Sequence, residues 1–81
     1  MKLRELTGST TLQGFVILEE FDEDKQKCRE LWRSFEDSDL VWFPAEYRDR
    51  TINYMYAATR NARPGYEKPA LIVELVNPRT V

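Results

Sequence analysis

This 81-residue chain contains no histidine and one cysteine, Cys28. A single thiol cannot close an internal disulfide, which excludes a cystine-stapled secreted scaffold. With no imidazole and one thiolate, zinc-type sites lack ligands. The same shortage leaves Cys28 without the base that usually activates a nucleophilic thiol, although Lys25, Lys27 and Arg29 nearby favour its ionised form. On the apolar side of an amphipathic segment, Cys28 reads better as a small core residue. The acidic run Glu19, Glu20, Asp22, Glu23 and Asp24 lacks the spacing and central glycine of a calcium loop and reads as a solvated turn. The segment around Gly8 lacks the lysine and glycine spacing that cradles phosphate. A chain this short also has little room for the deep cleft that a glycosidase-like carboxylate pair needs. Long apolar runs are missing too. Residues 15–18 and 70–73 fall far short of a membrane span, and residues 1–11 hold no apolar stretch of signal-peptide length. The expectation is a cytoplasmic protein with no cofactor, no metal and no membrane partner, and not an enzyme.

What is present indicates one folded unit spanning residues 1–81. The hydrophobic fraction is 42%, the aromatic fraction 12% and the net charge −2, a balance unlike that of disordered chains. A chain of this size buries only about 60% of its unfolded surface, so its core is thin and a homodimer interface would help it. Residues 1–40 carry ten acids and six bases, whereas 41–81 carry four acids and six bases. The acidic pI of about 5.1 weighs against a dedicated nucleic-acid binder.

Along the chain, Leu3 and Leu6 mark a helical turn in residues 1–7, with Gly8 placed as its cap and residues 8–10 as a loop. Residues 11–21 form a strand with Phe15, Ile17 and Phe21 on one face and Val16 and Leu18 on the other. Gly14 marks a bulge or a close backbone approach. Residues 25–35 are ambiguous. Cys28, Leu31, Trp32 and Phe35 follow helical spacing, yet a short polar link after a strand is also how a hairpin reads. After an acidic turn at 36–39, Pro44 opens about one helical turn through Asp49. Residues 51–58 form a second strand, with Ile52, Tyr54 and Tyr56 alternating against Asn53, Met55 and Ala57. Residues 70–76 form a third, with Leu71, Val73 and Leu75 inward, Glu74 outward and Asn77-Pro78 as the stop. Between these two strands, residues 59–69 read as a long basic loop that closes an antiparallel hairpin. The fold class expected is α+β: a small antiparallel, meander-like sheet of three to four strands with one or two short helices.

The stretch Tyr47-Arg48-Asp49-Arg50-Thr51-Ile52-Asn53-Tyr54-Met55-Tyr56-Ala57, followed by Ala70-Leu71-Ile72-Val73-Glu74-Leu75, resembles short uncharacterised bacterial proteins, many of them carried on phage or other mobile elements. The resemblance covers about half the chain. It implies an antiparallel β meander, and so a strand at 27–34, but it brings no activity and no functional residues. The 59–69 segment departs from that pattern, where the turn is short.

Two regions stand out as partner-binding candidates. Trp42, Phe43 and Tyr47 lie on a non-strand segment and are residue types that anchor interfaces. The competing reading is that Trp42 or Phe43 plugs the open end of the sheet. Arg60, Arg63 and Tyr66 lie in the basic loop, where arginine beside an aromatic suits protein hot spots and stacking on single-stranded bases. The competing reading there is an ordinary polar hairpin tip. The leading functional expectation is a non-catalytic protein-interaction module, a phage or mobile-element accessory that modulates or inhibits a host defence protein. The alternative is a small nucleic-acid binder using the 59–69 loop and the sheet tyrosines.

Overall fold

The apolar runs at 15–18 and 70–73 form the buried middle of a β-sheet. The structure is a computed structural model that describes residues 1–7 and 12–77. It contains β1 (Val16–Asp22), β2 (Lys27–Arg33), β3 (Ile52–Arg63) and β4 (Tyr66–Leu75) in one four-stranded sheet of order β2-β1-β4-β3. β1 and β2 are antiparallel, as are β3 and β4, but the central β1–β4 pair is parallel. The sheet is therefore mixed and mostly β, which corrects the antiparallel meander expected from the sequence. Two hairpins meet side by side because residues 34–51 cross over one face of the sheet before β3 begins. Only two 3-10 turns occur among the described residues, Leu3–Leu6 and Ala45–Tyr47, in place of the short helices expected. The cap at Gly8, the loop at 8–10, the start of the first strand at Thr11 and the stop at Pro78 lie outside the described residues. Among the described residues no helix is long and apolar enough to cross a membrane.

Within residues 25–35, Lys27–Arg33 is strand and no helix forms. Asp22 Oδ1 accepts the amides of Asp24 (3.0 Å) and Lys25 (3.4 Å), folding residues 23–26 into a turn that sends β2 back along β1. The helical spacing has a specific cause. The register slips between Leu18 and Glu19, leaving Leu31 as the extra residue, and both Leu31 and Trp32 then pack against the same cluster. A bulge thus imitates the adjacent apolar pair of a helix.

The 59–69 segment is not a loop. β3 and β4 stay paired through Thr59–Pro69, Arg60–Lys68 and Arg63–Tyr66, and only Pro64 and Gly65 turn. Gly65 sits at φ +76, a conformation that disfavours any side chain. Pro69 is tolerated because β4 pairs with β1 only from Leu71 onward, so at Pro69 the strand has one neighbour and lacks no partner for the missing N–H.

Two apolar clusters occupy opposite faces of the sheet. Val16, Leu18, Val73 and Leu75 pack under Leu3, Val41 and Phe43, while Phe15 and Ile17 pack with Ala70 and Ile72 on the other face. The N-terminal turn is laced to the crossover by Leu3 N–H to the Arg50 carbonyl and Arg4 N–H to the Arg48 carbonyl, both 2.9 Å. Glu74 is not outward in the sense of solvated, as its alternation suggested. It is only 3% exposed and sits beside Glu19 in the parallel register, itself 8% exposed.

Candidate functional site

The segment from Ser34 to Trp42 is irregular, yet it is bolted to β1. Ser34 Oγ accepts the Val16 amide at 2.8 Å and lies 2.9 Å from the Gly14 carbonyl and 3.0 Å from that of Phe35. The Ser34 amide donates to the Val16 carbonyl, the Gly14 amide to the Ser38 carbonyl and the Val41 amide to the Leu12 carbonyl, each at 2.8 Å. Gly14 sits at φ +95, a backbone conformation that disfavours a side chain, although a Cβ there would meet no atom within 4 Å, so its glycine answers to the turn and not to a close backbone approach.

With its backbone spent inward, this segment turns apolar side chains outward. Phe35 is 84% exposed, Trp42 60% and Leu40 49%. Together with Phe15, Ala62 and Arg63 they line a groove of about 700 Å³ between the crossover and the end of β3. Arg63 spans it, 3.5 Å from Glu36 on the opposite wall, and its guanidinium lies 4.6 Å from the centre of the Tyr66 ring. Arg48 sits 5.6 Å from the Trp42 ring centre while its Nε donates to the Phe43 carbonyl. A cation thus orients Trp42, while the Tyr66 ring in turn holds Arg63.

The six candidates from the sequence divide accordingly. Trp42 and Arg63, from two separate regions of the sequence, come together in the groove. Tyr66 does not line it but supports Arg63 from beneath. Phe43 is buried core, in edge contact with Trp32 at 5.6 Å, which is the competing reading given above for one member of the aromatic pair. Tyr47 is half-buried, its hydroxyl donating to the Leu31 carbonyl at 3.4 Å, and serves packing. Arg60 lies away from the groove, 3.5 Å from the Tyr56 hydroxyl. Phe35, Leu40 and Glu36 escaped the sequence reading. Their signal was apolar residues interleaved with Glu36, Asp37 and Asp39, where no regular element exists to bury them.

A second polar cluster occupies the sheet face opposite the crossover. Glu74 accepts from Asn53 Nδ2 (2.8 Å), the Tyr54 hydroxyl (3.1 Å) and the Cys28 thiol (3.0 Å), and Glu19 accepts from the Tyr56 hydroxyl (3.2 Å). Cys28 is an exposed residue rather than the core residue expected. Burial of the sulfur, reinforced by the Glu74 carboxylate, pushes its thiol up to about 11, so it stays protonated near neutral pH despite the neighbouring basic residues. The chemistry is that of a hydrogen-bond donor, not of an activated nucleophile. On the crossover side, Glu20 is pinched between Arg50 and Arg29, both at 2.6 Å. Burial alone raises its carboxyl, but the hydrogen bonds and charges of the two guanidiniums outweigh this and hold it below the ordinary range. No group of three or more acidic or thiol side chains placed to hold a metal occurs among the described residues.

The fold and groove together define a small mixed-β domain with an aromatic-rimmed, arginine-spanned surface cleft. No protein-family model, curated protein or solved structure matches the chain.

Proposed function

We propose that this chain is a non-catalytic protein-interaction module that seats a partner protein in the groove between residues 34–42 and the end of β3. The observation that carries the proposal is the convergence of exposed Phe35, Leu40 and Trp42 with Arg63 in one cleft. Aromatic residues and arginine dominate binding energy at interfaces, and three large apolar groups left in water on a fixed backbone are otherwise a cost to solubility. The resemblance to mobile-element proteins supports a cytoplasmic accessory role in which the partner is a host protein, such as one of a defence system. The test is affinity capture from host lysate with wild type, Trp42→Ala and Arg63→Ala. A discrete set of proteins held by wild type and lost from both variants is expected. Capture of the same set by the variants, or of nothing by wild type, refutes the proposal.

One observation favours the nucleic-acid alternative: Arg60, Arg63, Lys68 and Tyr66 gather at the hairpin end. Against it, Arg63 is paired with Glu36, and the sheet tyrosines point their hydroxyls at carboxylates that repel phosphate. A salt titration with single- and double-stranded DNA and RNA separates the readings, because phosphate-driven binding falls steeply with salt.

A further inference from the structure

The two outer strands of the sheet are protected very differently. In β2, four of seven residues are charged (Lys27, Arg29, Glu30 and Arg33) and a bulge breaks the register. Both devices discourage pairing with another chain. β3 has neither in its middle. Its bulges are confined to the ends, between Ile52 and Tyr54 and between Asn61 and Arg63. The same ends are already covered: the Ile52 amide donates to the Met1 carbonyl at 2.8 Å, and Arg33 Nη1 donates to the Asn61 carbonyl at 2.5 Å. Between them, Tyr54-Met55-Tyr56-Ala57-Ala58-Thr59 carries no charge and no proline, and among the described residues no backbone bond from another segment reaches its outer edge.

This window is complementary to itself. Its first half is bulky (Tyr54, Met55, Tyr56) and its second half small (Ala57, Ala58, Thr59). In an antiparallel pair of two copies centred on Ala57, Tyr56 meets Ala58 of the second copy, Met55 meets Thr59, and Tyr54 meets Arg60. Opposed residues share a sheet face, so each large side chain finds a small one or, for Tyr54, a cation to stack on. Charge agrees with size. Arg60 of each copy arrives beside Tyr54 of the other, whose hydroxyl caps the buried Glu74 carboxylate. No two like charges face each other across the window.

We propose that two copies of this chain associate edge to edge through β3, antiparallel about Ala57, to make one continuous eight-stranded sheet. Such an interface is isologous and closes on itself, so it yields a dimer rather than a fibre. It is separate from the groove and does not depend on the groove's function.

The test is sedimentation of the full chain over a wide concentration range. Twice the 9.6 kDa monomer mass is expected. Ala57 and Thr59 are exposed, so Ala57→Lys and Thr59→Lys are each expected to leave the far-UV spectrum unchanged. Each should weaken dimerisation about tenfold, since Ala57→Lys sets two like charges against each other on the axis and Thr59→Lys puts a charge against Met55 on both sides of it. An equimolar mixture of Ala57→Lys and Ala57→Glu should restore the dimer, which a merely misfolded variant cannot do. Trp42→Ala should leave the dimer intact. A monomer at all concentrations, a dimer indifferent to both lysine variants, or failure of the opposite-charge mixture to recover overturns the proposal. A dimer lost on Trp42→Ala overturns it as well, by moving the interface to the groove.

Discussion

The two faces of this sheet solve the same problem by different means. The face under the crossover is covered by chain. Leu3, Val41 and Phe43 close over Val16, Leu18, Val73 and Leu75, and Glu20 at its margin is neutralised by Arg50 and Arg29. The opposite face has no covering element among the described residues. Its apolar patch of Phe15, Ile17, Ala70 and Ile72 is shielded by the sheet's own long side chains, Arg33 lying 5.3 Å from the Phe15 ring centre. Beyond that patch the face turns polar, and Tyr54, Tyr56, Asn53 and Cys28 roof two carboxylates. Stability drawn from apolar transfer belongs mostly to the first face. The second face relies on hydrogen bonds, each of which yields less net free energy.

That contrast is open to attack in order of expected effect. Phe43→Ala should be the most damaging change, costing about 4 kcal/mol in chemical denaturation, because it empties the centre of the covered face. If it costs no more than a surface truncation, the asymmetry between faces is wrong. Glu74→Ala should cost about 1–2 kcal/mol by leaving its donors to find water. It should also lower the Cys28 pKa from about 11, seen as faster alkylation of the thiol at mildly alkaline pH. Glu20→Gln sharpens the comparison through pH. The folded Glu20 carboxyl lies below its ordinary 4.5, so its contribution is fully present above that value and disappears as pH falls through the folded value. The variant should therefore be less stable near neutrality yet lose less of its stability below pH 4.5, a flattening of the acid limb of the unfolding curve. Trp42→Ala should move stability least, within about 0.5 kcal/mol, while abolishing partner capture.

Much of the covered face was legible in the sequence. The split of Phe15 and Ile17 from Val16 and Leu18 follows directly from strand periodicity, and the structure separates these pairs into its two clusters. What escaped did so for local reasons. Bulges defeat periodicity: one places Leu31 and Trp32 side by side, and another aligns Ile52 with Met55 rather than with Tyr54. The parallel β1–β4 pairing is a long-range choice that no spacing encodes. The basic segment at 59–69 looked like a loop because Pro64, Gly65 and Pro69 are loop residues by composition. Only the free side of β4 at Pro69 makes a strand possible there. Of the site, Trp42 and Arg63 were visible as residue types, but their meeting was not. They are 21 positions apart, and the crossover that joins them exists only because β1 and β4 are parallel.

Ser34 carries a consequence for how fast any partner would be held. Its hydroxyl and the three nearby backbone bonds fasten the groove wall to the start of β1 and to Leu12 and Gly14 just before it, before anything arrives. Recognition by such a wall is docking onto a preset shape rather than a search through loop conformations. The entropy of ordering that segment is already spent in folding the domain. Association should therefore proceed in a single kinetic phase, and loosening the wall with Ser34→Ala should slow capture even though Ser34 itself contributes little to the apolar contact.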